Sequence, residues 1–399
     1  MDIRDLTVLV AEDHDFQRRL AVGTLQRMGA AVVIEAADGA EALAALRDKG
    51  GIDVVLCDLD MPGMDGVEFI RRVAEERLAP ALVIVSGLEA AIVDSVERMS
   101  RAHGHLVLGT VEKPITAQKL QNVLENIGRR ATKVVEPQWD FTPEEMLQAV
   151  ADGQIEPWMQ PKVLMANQHV AGAEALARWR HPEAGIVPPH VFLHDELPPN
   201  VVDVISWAMI DGALRTRGEW ASLDMPVTVS VNVGLRFLED LTVADRFADR
   251  ARELGIAPDE VIIEVTEGQA ATKFVNVMEN LTRLRIKGFG ISIDDYGTGY
   301  SSIQQLARIP YTELKLDNSF VIGAAHKPNQ RAILESALDL ARRMKLTSVA
   351  EGIEREEEWQ LLKSLGCDQA QGFYIAPPMP PEEFPGWYLD WMGSLAPKR

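Results

Sequence analysis

Over roughly the first 125 residues, short apolar runs alternate with stretches whose apolar residues recur at helical spacing. The runs at 7–10, 31–35, 53–57, 81–85 and 105–108 have the length and β-branched content of buried strands. Between the second and third, residues 40–47 place their apolar side chains on one helical face. Asp38-Gly39 precedes that stretch and Glu41 stands three after Asp38, a cap-like start. This βαβα order predicts an α/β fold with a doubly wound, flavodoxin-like parallel sheet.

The stretch RRATKVVEPQWDF at 129–141 reads as a linker between a domain at 5–128 and a second at 142–392. Thr142-Pro143-Glu144-Glu145 then supplies an N-cap, a proline at the first helical position and a box-closing glutamate. Strand-like runs follow at 158–163, 170–178, 227–233, 261–266, 289–294, 313–317, 347–351 and 371–375, separated by helical stretches. Eight strands over roughly 240 residues predict a (β/α)8 TIM-like barrel.

Alternation within these strands sorts their faces. In VTVSVNV at 227–233 the valines share one side, and Thr228, Ser230 and Asn232 the other. Phe289, Ile291 and Ile293 oppose Ser292 and Asp294, and Leu314 and Leu316 oppose Glu313, Lys315 and Asp317. Helices cover the outside of a barrel, so its outer face is apolar and the polar set points inward. Barrel enzymes keep their sites at the C-terminal strand ends. There the sequence gathers Glu174, Asn232, Glu264, Asp294, Asp295, Lys315, Glu351 and Gln371. Five of these are carboxylates, and a single lysine cannot balance them. Two hard divalent cations can. The all-oxygen donor set favours Mg²⁺ or Mn²⁺ over Zn²⁺, and a metal pair roughly 3.5–4 Å apart suits phosphodiester hydrolysis.

The front domain carries its own constellation. Glu12-Asp13 ends the first strand, Asp58 the third and Ser86 the fourth, while Lys113-Pro114 follows the fifth. In a doubly wound sheet these ends converge on one crevice. Three carboxylates there require a divalent cation, and oxygen ligands suit Mg²⁺. One carboxylate can then attack a phosphoryl group, with a hydroxyl and an ammonium receiving the transferred charge.

Net charge narrows the partners. At −20, the chain lacks the basic surface that displaces counterions from nucleic acid, so no DNA or RNA partner is expected. An anionic substrate must be held by local cations. No apolar stretch approaches the length of a membrane span, and the acidic start MDIRDLTVLVAEDHD is unlike a signal peptide. Cys57 and Cys367 form neither a metal-ligand spacing nor a disulfide framework. A cytoplasmic protein without membrane insertion is the expectation.

The front constellation resembles the receiver domain of two-component response regulators, with DLDMPGMDG at 58–66 similar to that family's acceptor loop. The resemblance implies that Asp58 accepts phosphate from a sensor histidine kinase. It makes Glu12, Asp13 and Asp58 the Mg²⁺ ligands, and Ser86 and Lys113 the phosphoryl contacts. Where the family often carries an aromatic residue, three before the lysine, this chain has Thr110, which implies a different readout of phosphorylation.

The back domain resembles the EAL phosphodiesterase family over about residues 142–390. The matching pieces are Gln160-Pro161-Lys162, Glu174-Ala175-Leu176-Ala177-Arg178, Arg178-Trp179 with His181-Pro182, and Asn232. They continue with Glu264-Val265-Thr266-Glu267, the run from Asp294-Asp295 to Ser301-Ser302, Lys315-Leu316-Asp317, Ala350-Glu351-Gly352 and Gln371-Gly372. By that resemblance the domain hydrolyses cyclic di-GMP to linear pGpG with two Mg²⁺ or Mn²⁺ ions. Glu174, Asn232, Glu264 and Asp294 would hold the first metal, and Asp294, Asp295 and Glu351 the second. Lys315 would steady the attacking water, and Glu351 is either the general base or a ligand only. Gln160, Leu176, Arg178, Asp317 and Gln371 would contact the substrate. Glu267 would anchor a glycine-rich loop that couples metal binding to homo-oligomerisation. The competing reading is a catalytically weak EAL domain that acts as a cyclic di-GMP receptor or interaction adaptor. Degenerate receptors of the family lose metal carboxylates or the loop motif, and this sequence keeps both. No GG[DE]EF-like motif is present, which disfavours a cyclase.

Overall fold

The computed structural model describes residues 3–49, 51–76, 78, 81–88, 90–103, 105–130, 139, 141–194, 197–266, 273–296, 306 and 308–395. The chain divides into two compact units, Met1–Gln138 and Trp139–Arg399.

In the first unit, strands β1 (Thr7–Ala11), β2 (Val32–Ala36), β3 (Val54–Asp58), β4 (Ala81–Ser86) and β5 (Val107–Glu112) form one parallel sheet in the order β2-β1-β3-β4-β5. Helices Asp15–Met28, Gly39–Lys49, Gly66–Glu75, Ala90–Ala102 and Ala117–Arg130 alternate with them. Side chains alternate along each strand, so both faces of the sheet are apolar and each has its own core. Leu9, Val55, Ile84 and Phe69 belong to one, and Val8, Val10, Leu56 and Val83 to the other. The doubly wound expectation holds. The cap also holds: Asp38 accepts the Glu41 N–H at 2.8 Å. The first four strands lie within a residue of their expected positions at each end. The fifth begins two residues late and runs to Glu112, because His105 is instead held outside the strand, its Nε2 2.9 Å from the Ile70 carbonyl. The last helix extends through Arg130, into the stretch read as a linker. Cys57 and Cys367 are both buried and free.

The second unit opens on helix Pro143–Ala151. The Thr142 hydroxyl accepts the Glu145 N–H at 3.3 Å, and the Glu145 carboxylate accepts the Thr142 N–H at 2.8 Å. Its strands are β6 (Ile155–Leu164), β7 (Val170–His181), β8 (Gly185–Val187), β9 (Thr228–Val233), β10 (Val261–Thr266), β11 (Gly290–Tyr296), β12 (Glu313–Leu316), β13 (Thr347–Ala350) and β14 (Gln369–Ala370). The order β6-β14-β13-β12-β11-β10-β9-β7, closed by β6 against β7, makes a barrel of eight, and among the described residues β8 pairs only with β7. Val229, Val231 and Val233 are buried beneath the outer helices, as their alternation requires.

The TIM-like barrel is therefore present, with two departures. Strand β6 runs antiparallel to both β7 and β14. The chain between β6 and β7, residues 165–169, is a short turn, and a parallel crossover needs a dozen residues or more. The last strand is Gln369–Ala370 rather than 371–375. Residues 372–376 form a turn, with Ile375 and Ala376 donating to the Gly372 carbonyl at 3.0 and 3.1 Å. Gly372 is required there. Its φ is +156°, and a Cβ would lie 2.2 Å from the Ile353 backbone. Among the described residues, no helix is long and apolar enough to cross a membrane.

Candidate active site

Strand register brings the polar set together. Glu174 on β7 lies level with Gln160 on β6 and Ser230 on β9, and Glu264 on β10 lies level with Asn232 and Ser292. At the C-terminal strand ends the Lys315 ammonium sits among four carboxylates. It is 2.6 Å from Glu264, 2.6 Å from Glu351, 3.0 Å from Asp294 and 3.2 Å from Glu174. Lys315 is 1% exposed. Asn232 donates to Glu174 at 2.6 Å, and Gln371 donates to Glu174 at 2.7 Å and to Gln160 at 3.0 Å.

This crowding shifts the acids in opposite directions. Burial, reinforced by the charge of Glu264, pushes the Glu174 carboxyl up to about 7. Burial also drives Glu351 well above the carboxylate range, more than Lys315 can offset. For Glu264 burial acts the same way, but Lys315 and Lys162 overrule it and hold the acid down at about 2. Burial opposes the charge on Lys315, and the surrounding acids outweigh it, so its ammonium is held well above its ordinary value.

The expectation that one lysine stands against the acids needs correction. Lys162 is a second, completely buried ammonium, 3.3 Å from Glu264 and 3.2 Å from a further acid, Glu313. Five carboxylates still face two ammoniums among the described side chains, so negative charge remains in excess. Nothing in the sequence pattern marks Lys162 and Glu313 as a pair. Alternation put Glu313 on the inner face, but nothing local pairs it with a lysine 151 positions earlier.

The residues fit a divalent cation. Glu174, Glu264 and Asp294 each offer a carboxylate oxygen, all within 4.8 Å of one another. The Asn232 Oδ1, beside them, is buried with no hydrogen-bond partner. An orphaned carbonyl oxygen next to three convergent carboxylates is a hard-cation donor set.

Above the acids opens a cavity of about 340 Å³, lined among others by Gln160, Leu176, Asp317, Glu351, Gln371 and Phe373. Arg178 is not part of this lining. Its guanidinium donates to the Ala177 carbonyl at 2.7 Å. Asp317 also caps the short helix Asn318–Val321, accepting the Ser319 N–H at 2.9 Å. Asp295 belongs to β11, but only its backbone is described, and Glu267 lies outside the described residues.

The front unit assembles its own cluster. Lys113 donates to Asp58 at 2.7 Å and pairs with Glu12 at 2.9 Å. Glu12, Asp13 and Asp58 present oxygens within 4.8 Å of one another, a set that fits Mg²⁺. Burial raises the Glu12 carboxyl, and burial's opposing pull on Lys113 is outweighed by its bonds to Asp58 and Glu12. Ser86 is buried and accepts the Leu88 N–H at 3.0 Å. The Thr110 hydroxyl, at the position where an aromatic side chain is absent, is buried without a partner.

Fold, barrel mouth and acidic crevice together define the class. The chain belongs to the EAL domain family, whose model matches residues 144–378, and residues 8–125 match the response regulator receiver domain. Over 385 residues it is 34% identical to the cyclic di-GMP phosphodiesterase RocR of Pseudomonas aeruginosa, covering 96% of this chain and 98% of that protein. Over 243 residues it is 36% identical to MucR of the same organism, a bifunctional diguanylate cyclase/cyclic di-GMP phosphodiesterase, covering 60% of this chain and 35% of that protein. Among solved structures it is similar to the PaMucR phosphodiesterase in complex with c-di-GMP. That match has a TM-score of 0.56 at 35% identity, over 60% of this chain and 98% of that one. The EAL enzyme Bd1971, in a form bound to cAMP and cyclic di-GMP, matches with a TM-score of 0.57 at 27% identity, over 67% and 72% of the two chains.

Proposed function

We propose that this protein is a response regulator that hydrolyses cyclic di-GMP to linear pGpG, with its rate set by phosphorylation of Asp58. The observation that carries the reading is the ring of four carboxylates around Lys315, with the unpartnered Asn232 oxygen beside it. Glu174, Asn232, Glu264 and Asp294 would hold one Mg²⁺ or Mn²⁺, and Asp294, Asp295 and Glu351 a second. When bound, the two cations would neutralise the phosphodiester and make a water nucleophilic near neutral pH.

The rest falls to the chain's own side chains. Lys315 holds the attacking water in line with the departing 3′ oxygen. Glu351, 2.6 Å from Lys315 and bordering the cavity, takes the water's proton. A P–O bond forms to the water oxygen as the P–O3′ bond breaks, and the departing 3′ oxygen takes a proton from solvent to leave as a hydroxyl, Glu351 later returning its own proton to solvent. Gln371, anchored through its amide to Gln160 and Glu174, has its own Oε1 unpartnered and available to the substrate. Leu176 and Asp317 border the same cavity. Arg178 would have to leave the Ala177 carbonyl to take part.

The test is the purified full chain incubated with cyclic di-GMP and either Mg²⁺ or Mn²⁺, followed by chromatography. Linear pGpG is expected. Tight binding without pGpG would make the barrel a receptor.

In the front unit, Asp58 would take phosphate from a sensor histidine kinase, with Mg²⁺ held by Glu12, Asp13 and Asp58 and the phosphoryl oxygens met by Ser86 and Lys113. Asp58→Asn is expected to remove the whole change in turnover that a small-molecule phosphodonor produces. A response that persists in this variant would mean the receiver signals without phosphate. Self-association through the EAL domain, with Glu267 anchoring the loop after β11, and a cytoplasmic location belong to the same reading.

A further inference from the structure

Beneath the metal-facing acids lies a charged layer that the proposed reaction does not use. Because β6 runs against its neighbours, Lys162 stands one inward step deeper than Gln160, opposite Gly172 rather than Glu174. Its ammonium meets the Ser230 hydroxyl at 2.6 Å, Glu313 at 3.2 Å and Glu264 Oε1 at 3.3 Å. An ammonium has three donors, and these three acceptors satisfy them inside a barrel where Lys162 has no exposed surface.

Stability does not account for this arrangement. Barrel interiors are ordinarily filled by branched apolar side chains, and a buried ion pair is commonly no more stable than an apolar pair of the same volume. What the layer does change is Glu264. One oxygen of that acid accepts Lys315 from the mouth side at 2.6 Å, and the other is taken by Lys162 from below. The terminal torsion of a glutamate is otherwise broad, so an acid held at both oxygens has lost its freedom to rotate before any cation arrives. The positive charge of Lys162 alone would repel that cation, and Glu313, paired to it, cancels the repulsion.

We propose that Lys162, neutralised by Glu313, is a positioning residue that fixes the Glu264 carboxylate for cation binding from the floor of the barrel. This inference rests on the two-cation reading of the site. It predicts a dependence of metal affinity on residues that never touch metal or substrate, an effect commonly of about 10–100-fold for groups that orient a ligand.

The measurement is Mn²⁺ uptake by the metal-free full chain without nucleotide, followed by electron paramagnetic resonance of the free ion, with turnover against Mn²⁺ run in parallel. Lys162→Met combined with Glu313→Leu removes the pair at no change in net charge. It is expected to weaken Mn²⁺ binding about 10–100-fold, with turnover recovering as Mn²⁺ is raised. Glu313→Gln leaves the lysine uncancelled and is expected to weaken binding several-fold. It keeps the size of the side chain and tests the cancellation; if the first double variant does not fold, Lys162→Gln with Glu313→Gln removes the ammonium at the same net charge and carries the same expectation of about 10–100-fold. A purely structural role would lower the melting temperature and leave Mn²⁺ affinity unmoved. Wild-type affinity in the folded variants overturns the positioning role and leaves the two-cation reading standing. No Mn²⁺ uptake by the wild type overturns both.

Discussion

Glu174→Gln is expected to abolish hydrolysis of cyclic di-GMP while making the metal-free protein more stable at pH 8. The loss of turnover, at least about 10³-fold, follows from removing a charged cation ligand at the reacting phosphate. The gain in stability follows from burial. Glu174 is fully enclosed, and its carboxyl is raised from 4.5 to about 7 by that enclosure and then by Glu264. Between those values the folded chain keeps a proton that the unfolded chain has released, so stability falls as pH rises through the window. At pH 8 the accumulated penalty is roughly 3 kcal/mol. A neutral amide escapes it. The amide can also be accommodated: Asn232, which now donates to Glu174, has a spare oxygen and can turn to accept. Thermal melts in a chelator should show the wild type losing stability from pH 5 to pH 8, with the variant less sensitive by the share of Glu174 while Glu351 keeps its own. Added Mn²⁺ should restore the wild type's advantage. A variant that melts below the wild type at pH 8 without metal would sink the argument.

Lys315→Met has the opposite sign for stability. The side chain it replaces joins Glu174, Glu264, Asp294 and Glu351, all within 3.2 Å of its ammonium. Its loss leaves buried carboxylates without the ammonium they share, a change that costs about 3–5 kcal/mol in comparable sites. For a unit of this size the melting temperature should fall by roughly 10 °C. Turnover should be lost as well. The informative control is metal: cations become the main remaining compensation at the mouth, so Mn²⁺ should raise the variant's melting temperature by more than it raises the wild type's. An equal rise in both would mean that Lys315 does not share the acids with the cations.

Much of this was legible in the sequence, because alternation along a strand fixes which side chains share a face. The valines of β9 and the polar residues between them sort as expected, and Glu174, Glu264, Asp294, Lys315 and Glu351 do meet. Strand direction is different. Trp158 to Val163 has the same composition whichever way it runs, and only the brevity of residues 165–169 records the reversal. With the direction unread, the depth of Lys162 was unread too. Gly372 to Ile375 reads as a strand because GFYI is apolar. Phe373 is nevertheless 64% exposed at the cavity rim, and the glycine's close approach to Ile353 bends the chain away from the sheet. The side chain of Asp295 and the whole of Glu267 fall outside the described residues.

The two buried thiols have a practical outcome. Cys57 lies against the β3 backbone one residue from Asp58, and Cys367 is enclosed near Ser348. Burial pushes both thiols up, Cys367 to about 11. Alkylating and spin-labelling reagents are attacked by the thiolate and not by the thiol, so neither native cysteine competes for label in the folded protein. A single cysteine placed on an exposed position of either unit would carry a probe selectively, with no native thiol first removed.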